Sequence, residues 1–185
     1  DNENINFNSG ITVYEKLKGL SSDRYEYVLP YYNLSLTNFY ENKYGNFNFS
    51  SNGNNNLRKT NNLRTVIDNN FNFQTYDFIS KKGFKNNFGI YFMNINTSAK
   101  NDEQYKSSPQ VELSNIYNFE TSFPLTKLDE SFVNTLTPRL SFRLNPGGMK
   151  DYSNENKFIT SDNIFGINRL GLSDSYEQGK SFTLG

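Results

Sequence analysis

Alternation of apolar and polar residues is the feature of this sequence that most restricts its fold. In the stretch ESFVNTLTPRLSFRLNP, one parity carries Phe132, Leu140 and Phe142, while the other carries Arg139 and Arg143. Successive side chains of a β-strand point to opposite faces. Residues 132–144 therefore predict one two-faced strand of about thirteen residues.

The same alternation recurs along the chain. Candidate strands begin near residues 3, 24, 44, 61, 84, 105 and 130, and the linkers between them are polar and turn-like, as in KGLSSD and SAKNDEQ. No useful length of sequence between them has the period of an amphipathic helix. Consecutive strands with short linkers predict an all-β fold, an antiparallel up-and-down meander of about seven to eight strands.

The apolar face of such a meander could contact a protein core or lipid. Strands of soluble proteins usually have about five or six residues. Several candidates here have twelve or more, beyond the roughly 9–11 residues that cross a bilayer at a tilt. Tyr and Phe also cluster near strand ends, as in RYEYVLPYY. We therefore expect part of a large transmembrane β-barrel, and a soluble carbohydrate-binding β-sandwich is the alternative.

The amino-acid composition excludes several classes of functional site. The 185 residues contain neither Cys nor His, and their formal net charge is zero. Disulfides, Cys or His metal sites and histidine-based catalysis are thereby excluded. We expect no enzyme activity and no cofactor. Without a basic excess or a polybasic run, nucleic-acid binding is not expected either.

The most distinctive stretch is SDNIFGINRLGLSDSYEQG, residues 161–179, which predicts a loop with a short helical turn. Two interpretations of its charged residues are open. One is an ionic network among Arg169, Asp174 and Glu177. The other is a loop at the rim of the sheet, held by ordinary turn chemistry.

This stretch resembles the signature of the LptD family, the lipopolysaccharide-assembly outer-membrane proteins also called organic solvent tolerance proteins, and its alphaproteobacterial members in particular. The matching residues are Asn154, Glu155, Asp162, Asn163, Phe165, Asn168, Arg169, Asp174, Glu177 and Gly179. Their order and spacing carry the resemblance. The sequence departs from the family pattern at Ser153, which stands for a Pro, at Asn156, which stands for an acid, and at Ser175, which stands for an Arg.

The resemblance implies a fold and a set of partners. Residues 1–185 would be a partial outer-membrane β-barrel domain of Gram-negative bacteria, ending inside a further strand. The partners would be lipopolysaccharide, an LptE-like lipoprotein plug in the lumen, the lipid bilayer, and periplasmic lipopolysaccharide-bridge proteins that act through a separate N-terminal domain. Family members insert lipopolysaccharide into the outer leaflet. A porin or receptor barrel would share the alternation but not the order of the loop residues.

Four basic residues lie on the polar faces of the candidate strands. They are Arg64, Lys85, Arg139 and Arg143. We expect them to face the lumen or the plug protein. Two roles are open for them there, because such groups either bind anionic saccharide and phosphate groups or only solvate the wall.

Overall fold

The computed structural model describes residues 4–19, 24–59, 61–103, 105–129, 132–148, 151, 156–172 and 175–185. These residues form strands and turns. The strands are β1 (Ile5–Glu15), β2 (Tyr25–Asn42), β3 (Gly45–Arg58), β4 (Asn62–Thr75), β5 (Phe78–Ile79), β6 (Lys85–Lys100), β7 (Gln110–Ser122), β8 (Leu125–Leu128), β9 (Val133–Leu136), β10 (Arg139–Asn145) and β11 (Gly179–Leu184). None of the described segments is a helix long and apolar enough to cross a membrane.

The strands confirm the predicted all-β meander. The main sheet has the order β1-β2-β3-β4-β6-β7-β10-β11, with β5 added beside β6. Every pairing whose register is described is antiparallel. The order is a path with two ends, and the described residues contain no pairing that closes it.

The predicted single strand over residues 132–144 is wrong. Two strands replace it, because Thr137 and Pro138 belong to neither β9 nor β10. Proline has no backbone N–H to donate to a sheet, and the Pro138 oxygen instead accepts a hydrogen bond from the Phe123 nitrogen at 3.0 Å. As a result β9 pairs with β8 in a separate two-stranded sheet, and only β10 joins the main sheet.

The chain divides into two compact units. The first contains Asp1–Tyr40, Phe47–Phe71 and Met93–Leu113, and the second contains Glu41–Asn46, Asn72–Phe92 and Ser114–Gly185.

Burial in the described residues is unusual, because five hydrophobic residues are buried against ten polar or charged ones. Soluble domains bury mostly apolar side chains. Among the described residues, the buried side chains are therefore mostly polar.

In the first unit, a row of side-chain hydrogen bonds crosses several strands. The Ser51 hydroxyl lies 3.1 Å from the Tyr32 hydroxyl and donates to Asn69 Oδ1 at 2.7 Å. Asn69 Nδ2 then donates to Asn94 Oδ1 at 3.1 Å, and Asn96 Nδ2 donates to the same atom at 2.7 Å. Amide side chains provide both donors and acceptors, so this row gives the abundant Asn residues a structural role.

The turns of the second unit depend on local side-chain contacts. β2 and β3 are joined by Lys43 and Tyr44, and Asn42 Oδ1 accepts hydrogen bonds from the nitrogens of Tyr44 at 2.8 Å and Gly45 at 3.2 Å. A Cβ atom on Gly45 would lie 2.3 Å from the backbone oxygen of Gln74. Only glycine permits this close approach of two backbones.

Candidate functional site

The site lies on the polar face of β7, β10 and β11, within the second unit. Ser141, Arg143 and Asn145 alternate along β10 and are 6%, 3% and 1% exposed. The intervening Phe142 is paired directly with Phe119 of β7 and Phe182 of β11, and these three rings are 43%, 39% and 66% exposed. The sheet therefore presents an exposed aromatic row on one face and a buried polar surface on the other.

The segment before β11, of which residues 156–172 and 175–178 are described, lies over this polar face. Asn145 Nδ2 donates to the backbone oxygens of Tyr176 at 3.4 Å and Glu177 at 3.2 Å, and it lies 3.3 Å from the Ser114 hydroxyl. The same hydroxyl accepts a hydrogen bond from the Tyr176 nitrogen at 3.3 Å. Asn145 and Ser114 thus join β10 and β7 to the overlying backbone.

An ionic cluster fixes the segment further. Arg169 and Glu177 form a two-point ion pair, with Nε to Oε2 at 2.8 Å and Nη2 to Oε1 at 2.5 Å. Arg143 Nη2 donates to the Glu177 backbone oxygen at 2.6 Å, and Arg143 Nη1 lies 3.8 Å from Glu177 Oε2. The side chains of Arg143 and Arg169 are only 4% and 5% exposed. Because buried charges need partners, Glu177 is central to this arrangement.

Turn chemistry shapes the rest of the segment. Asn163 Oδ1 accepts from the Thr160 nitrogen at 2.7 Å, and its Nδ2 donates to the Phe158 oxygen at 3.0 Å. Asn168 brackets the next turn, because it accepts from the Leu172 nitrogen at 3.0 Å and donates to the Leu172 oxygen at 2.8 Å. The predicted helical turn is a single one, closed by the Ile164 nitrogen and the Thr160 oxygen at 3.0 Å.

Phe165 joins the segment to the start of β10. The Arg139 guanidinium lies over its ring, 4.6 Å from the ring centroid. Arg139 also donates to Glu120 Oε1, from Nε at 3.1 Å and from Nη2 at 2.6 Å. A guanidinium stacked on an aromatic ring and paired with a carboxylate is held in one orientation.

Residues 161–179 contain elements of both sequence interpretations, namely an ion pair and side chains that stabilise turns. Arg169 and Glu177 pair, while Asn163, Phe165 and Asn168 organise turns and stacking. Gly179 begins β11 with a φ of 104°, a conformation that favours glycine. Asp162 is exposed, with the Ser161 hydroxyl 3.4 Å away. Asn154, Glu155 and Asp174 lie outside the described residues.

The four basic residues of the strands all have acidic partners. Arg64 donates to Asp102 from Nε at 3.1 Å and from Nη2 at 2.9 Å, and its guanidinium lies 4.8 Å from the Tyr105 ring centroid. Lys85 Nζ lies 2.6 Å from Asp77 Oδ2. Arg139 and Arg143 pair with Glu120 and Glu177 as described above. An anionic ligand would therefore compete with internal carboxylates at each of these positions.

Two groups in the turn after β4 have shifted pKa values. The hydrogen bond from Lys85 holds the pKa of Asp77 below its ordinary value of 3.8. The hydrogen bond that the Tyr76 hydroxyl donates to Glu41 raises the pKa of that phenol. Both side chains are largely solvent-exposed, so the shifts reflect surface pairing and not a buried reactive centre.

Sequence reasoning missed Asn145, Ser114 and Glu120 as members of the site. Asn145 continues the polar parity of Arg139 and Arg143, so extending the alternation by one position would have found it. Ser114 and Glu120 had no comparable signal, because their roles depend on the pairing of β7 with β10.

The arrangement can hold the segment before β11 in place against the polar face of the sheet. No three acidic side chains come together as a metal site in the part of the chain that the structure describes. Comparison with family models, with curated proteins and with solved structures gave no match for this chain.

Proposed function

We propose that this chain is part of the wall of a transmembrane β-barrel of the lipopolysaccharide-export type, in the outer membrane of a Gram-negative bacterium. The observation that carries the proposal is the inverted burial of the second unit. Phe119, Phe142 and Phe182 form an exposed row, while Ser141, Arg143 and Asn145 are buried. A barrel wall in lipid has apolar residues outside and polar residues inside.

The loop residues support the narrower assignment to the LptD type. Arg169 and Glu177, two residues of the resemblance, form the ion pair that fixes the segment before β11. In this proposal the barrel transfers lipopolysaccharide to the outer leaflet by passage, without catalysis. An LptE-like lipoprotein occupies the lumen, and periplasmic bridge proteins supply the substrate.

Other outer-membrane barrels, such as porins and receptors, are the second candidate class. They share the alternation and the inverted burial. The soluble β-sandwich is disfavoured, because its apolar faces would pack against each other, whereas the Phe119, Phe142 and Phe182 rings are exposed.

Photo-crosslinking in Gram-negative cells tests the lipopolysaccharide assignment. A photoreactive amino acid at Arg64 or Lys85, on the polar parities, should form adducts with lipopolysaccharide or with a lipoprotein. The same group at Phe142, on the lipid-facing side, should form adducts with membrane lipid and none with a lipoprotein. Phospholipid adducts at Phe142 without lipopolysaccharide or lipoprotein adducts at Arg64 or Lys85 would favour a porin or receptor barrel.

A further inference from the structure

A cavity of about 380 Å³ lies in the second unit, beside the β2–β3 turn and the connection from β4 to β5. Its walls include Tyr44, Tyr76, Phe78, Phe88 and Phe119. The volume falls within the range of roughly 300–1,000 Å³ for small-molecule sites. Because its surface is mostly apolar, the cavity suits hydrocarbon better than a saccharide.

The cavity is continuous with the exposed apolar face of the sheet. Phe119 lines the cavity and is also paired with Phe142, which is paired in turn with Phe182. A hydrocarbon chain that lies along this aromatic row can therefore enter the cavity without crossing a polar surface.

The lining of the cavity contains one basic residue, Lys43, and one acidic residue, Asp77. Lys43 lines the cavity, and its Nζ is 4.8 Å from the Tyr44 ring centroid. Asp77 lines the cavity but is paired with Lys85 at 2.6 Å, and the neighbouring Glu41 accepts a hydrogen bond from the Tyr76 hydroxyl. No ion pair joins Lys43 to a carboxylate of the described residues. Its ammonium group can therefore bind an anion.

We propose that this cavity binds one acyl chain of a phospholipid whose headgroup is an anionic phosphate. The chain would lie among the aromatic rings, and the phosphate would contact Lys43. Aromatic and basic side chains together are typical of a membrane–water interface. A cavity of this size holds one chain, and the second chain of the phospholipid would lie outside it, along the aromatic row. The site goes beyond the proposed function, because lipopolysaccharide passage does not require it.

The absence of Trp from the sequence provides a local reporter. A Phe78→Trp variant places one indole in the cavity wall, at a position that is 63% exposed and tolerant of the larger ring. Tyr44→Trp is a second reporter, at a position that is 64% exposed. Each full-length variant is titrated in neutral maltoside micelles with phosphatidic acid or phosphatidylcholine carrying brominated chains, which quench indole fluorescence on contact.

Quenching in the Phe78→Trp variant should saturate, and phosphatidic acid should reach half-saturation at a lower concentration than phosphatidylcholine. Adding Lys43→Gln should raise that concentration for phosphatidic acid about fivefold, the effect of roughly 1 kcal/mol for one basic residue near an anionic lipid. Adding Lys18→Gln, which removes an exposed lysine that does not line the cavity, should leave it unchanged.

Phe182→Trp reports the open apolar face, where both lipids should quench equally and without saturation. Equal quenching by both lipids in the Phe78→Trp and Tyr44→Trp variants would overturn the proposal, as would a Lys43→Gln variant with unchanged half-saturation. These titrations require no closed barrel, so their failure is distinguishable from failure of the proposed function.

Discussion

The carboxylate of Glu177 accepts two parallel hydrogen bonds from the guanidinium of Arg169, with Nε to Oε2 at 2.8 Å and Nη2 to Oε1 at 2.5 Å. Two-point pairs of this kind are stronger and more directional than single charged hydrogen bonds. The backbone oxygen of the same Glu177 accepts from Arg143 of β10 at 2.6 Å. Glu177 therefore links the turns of the segment before β11 to the polar face of the sheet.

Replacement of Glu177 should destabilise this segment strongly. In Glu177→Gln the Arg143 and Arg169 side chains stay buried but lose the Glu177 carboxylate with which both are paired. We therefore expect the free energy of unfolding to fall by about 2–4 kcal/mol. Denaturant titration in neutral detergent micelles measures the change. Asp162→Asn is the matched control, because Asp162 is an exposed acid of the same segment, and it should change the value by no more than about 0.5 kcal/mol. Equal stabilities of the two variants would contradict the role given to Glu177.

Asn145 should contribute to the stability of the fold through its hydrogen bonds to the backbone of the overlying segment. Its amide is 1% exposed and donates to the backbone oxygens of Tyr176 and Glu177. Asn145→Ala removes one hydrogen-bond donor from each of these oxygens, although the Glu177 oxygen keeps its bond from Arg143, and it should lower the free energy of unfolding by about 1–3 kcal/mol. Asn8→Ala on exposed β1 is the control and should have little effect. Increased protease cleavage before β11 in Asn145→Ala alone would give independent support, and unchanged stability and cleavage would argue against it.

The Asp77–Lys85 pair predicts a pH effect of defined sign. The pKa of Asp77 is below 3.8 in the folded chain because Lys85 donates to it, so the unfolded chain binds this proton more readily. The stabilising contribution is complete above the unfolded pKa and is lost as the pH falls through the lower folded pKa. An NMR titration should place the Asp77 pKa below its ordinary value, and Lys85→Gln should return it upward. Lys18→Gln should leave it unchanged, and a wild-type pKa at or above 3.8 would refute the pair.

Gly45 should tolerate no side chain. A Cβ there would lie 2.3 Å from the Gln74 backbone oxygen and 2.8 Å from the Thr75 Cα. Backbone atoms cannot move aside as a flexible side chain can, so Gly45→Ala should cost roughly 1–3 kcal/mol of unfolding free energy. Gly148→Ala is the matched control, because nothing lies within 4 Å of its added Cβ. Similar stabilities for the two variants would mean that β3 and β4 lie further apart at this point.

The sequence was sufficient to predict the meander because period two is a local property. Alternation along β10 correctly separated Phe142 from Arg143, and polar linkers marked most strand starts. The prediction of one continuous strand failed at Pro138, because the alternation of side chains continues through a residue that has no backbone N–H to donate. Alternation reports the direction of side chains and says nothing of where the ladder of backbone hydrogen bonds stops.

The candidate site was predictable only in part. The Arg169–Glu177 contact belonged to one of the two sequence interpretations, and its members are only eight residues apart. The contacts of that pair with Arg143, and those of Asn145 with Ser114, join residues more than thirty positions apart. Such contacts depend on which strands are neighbours and on their register, neither of which is specified locally.

The orientation of the sheet in lipid is the most direct test of the account. The sequence contains no Cys, so single-cysteine variants of Ser141, Phe142, Phe182 and Thr183 can each carry one spin label. After reconstitution into liposomes, accessibility to oxygen and to a water-soluble nickel chelate is measured at each position. Labels at Phe142 and Phe182 should be accessible to oxygen and protected from nickel, whereas labels at Ser141 and Thr183 should not be exposed to lipid. Nickel accessibility at Phe142 and Phe182, in a chain that stays soluble without detergent, would contradict the account.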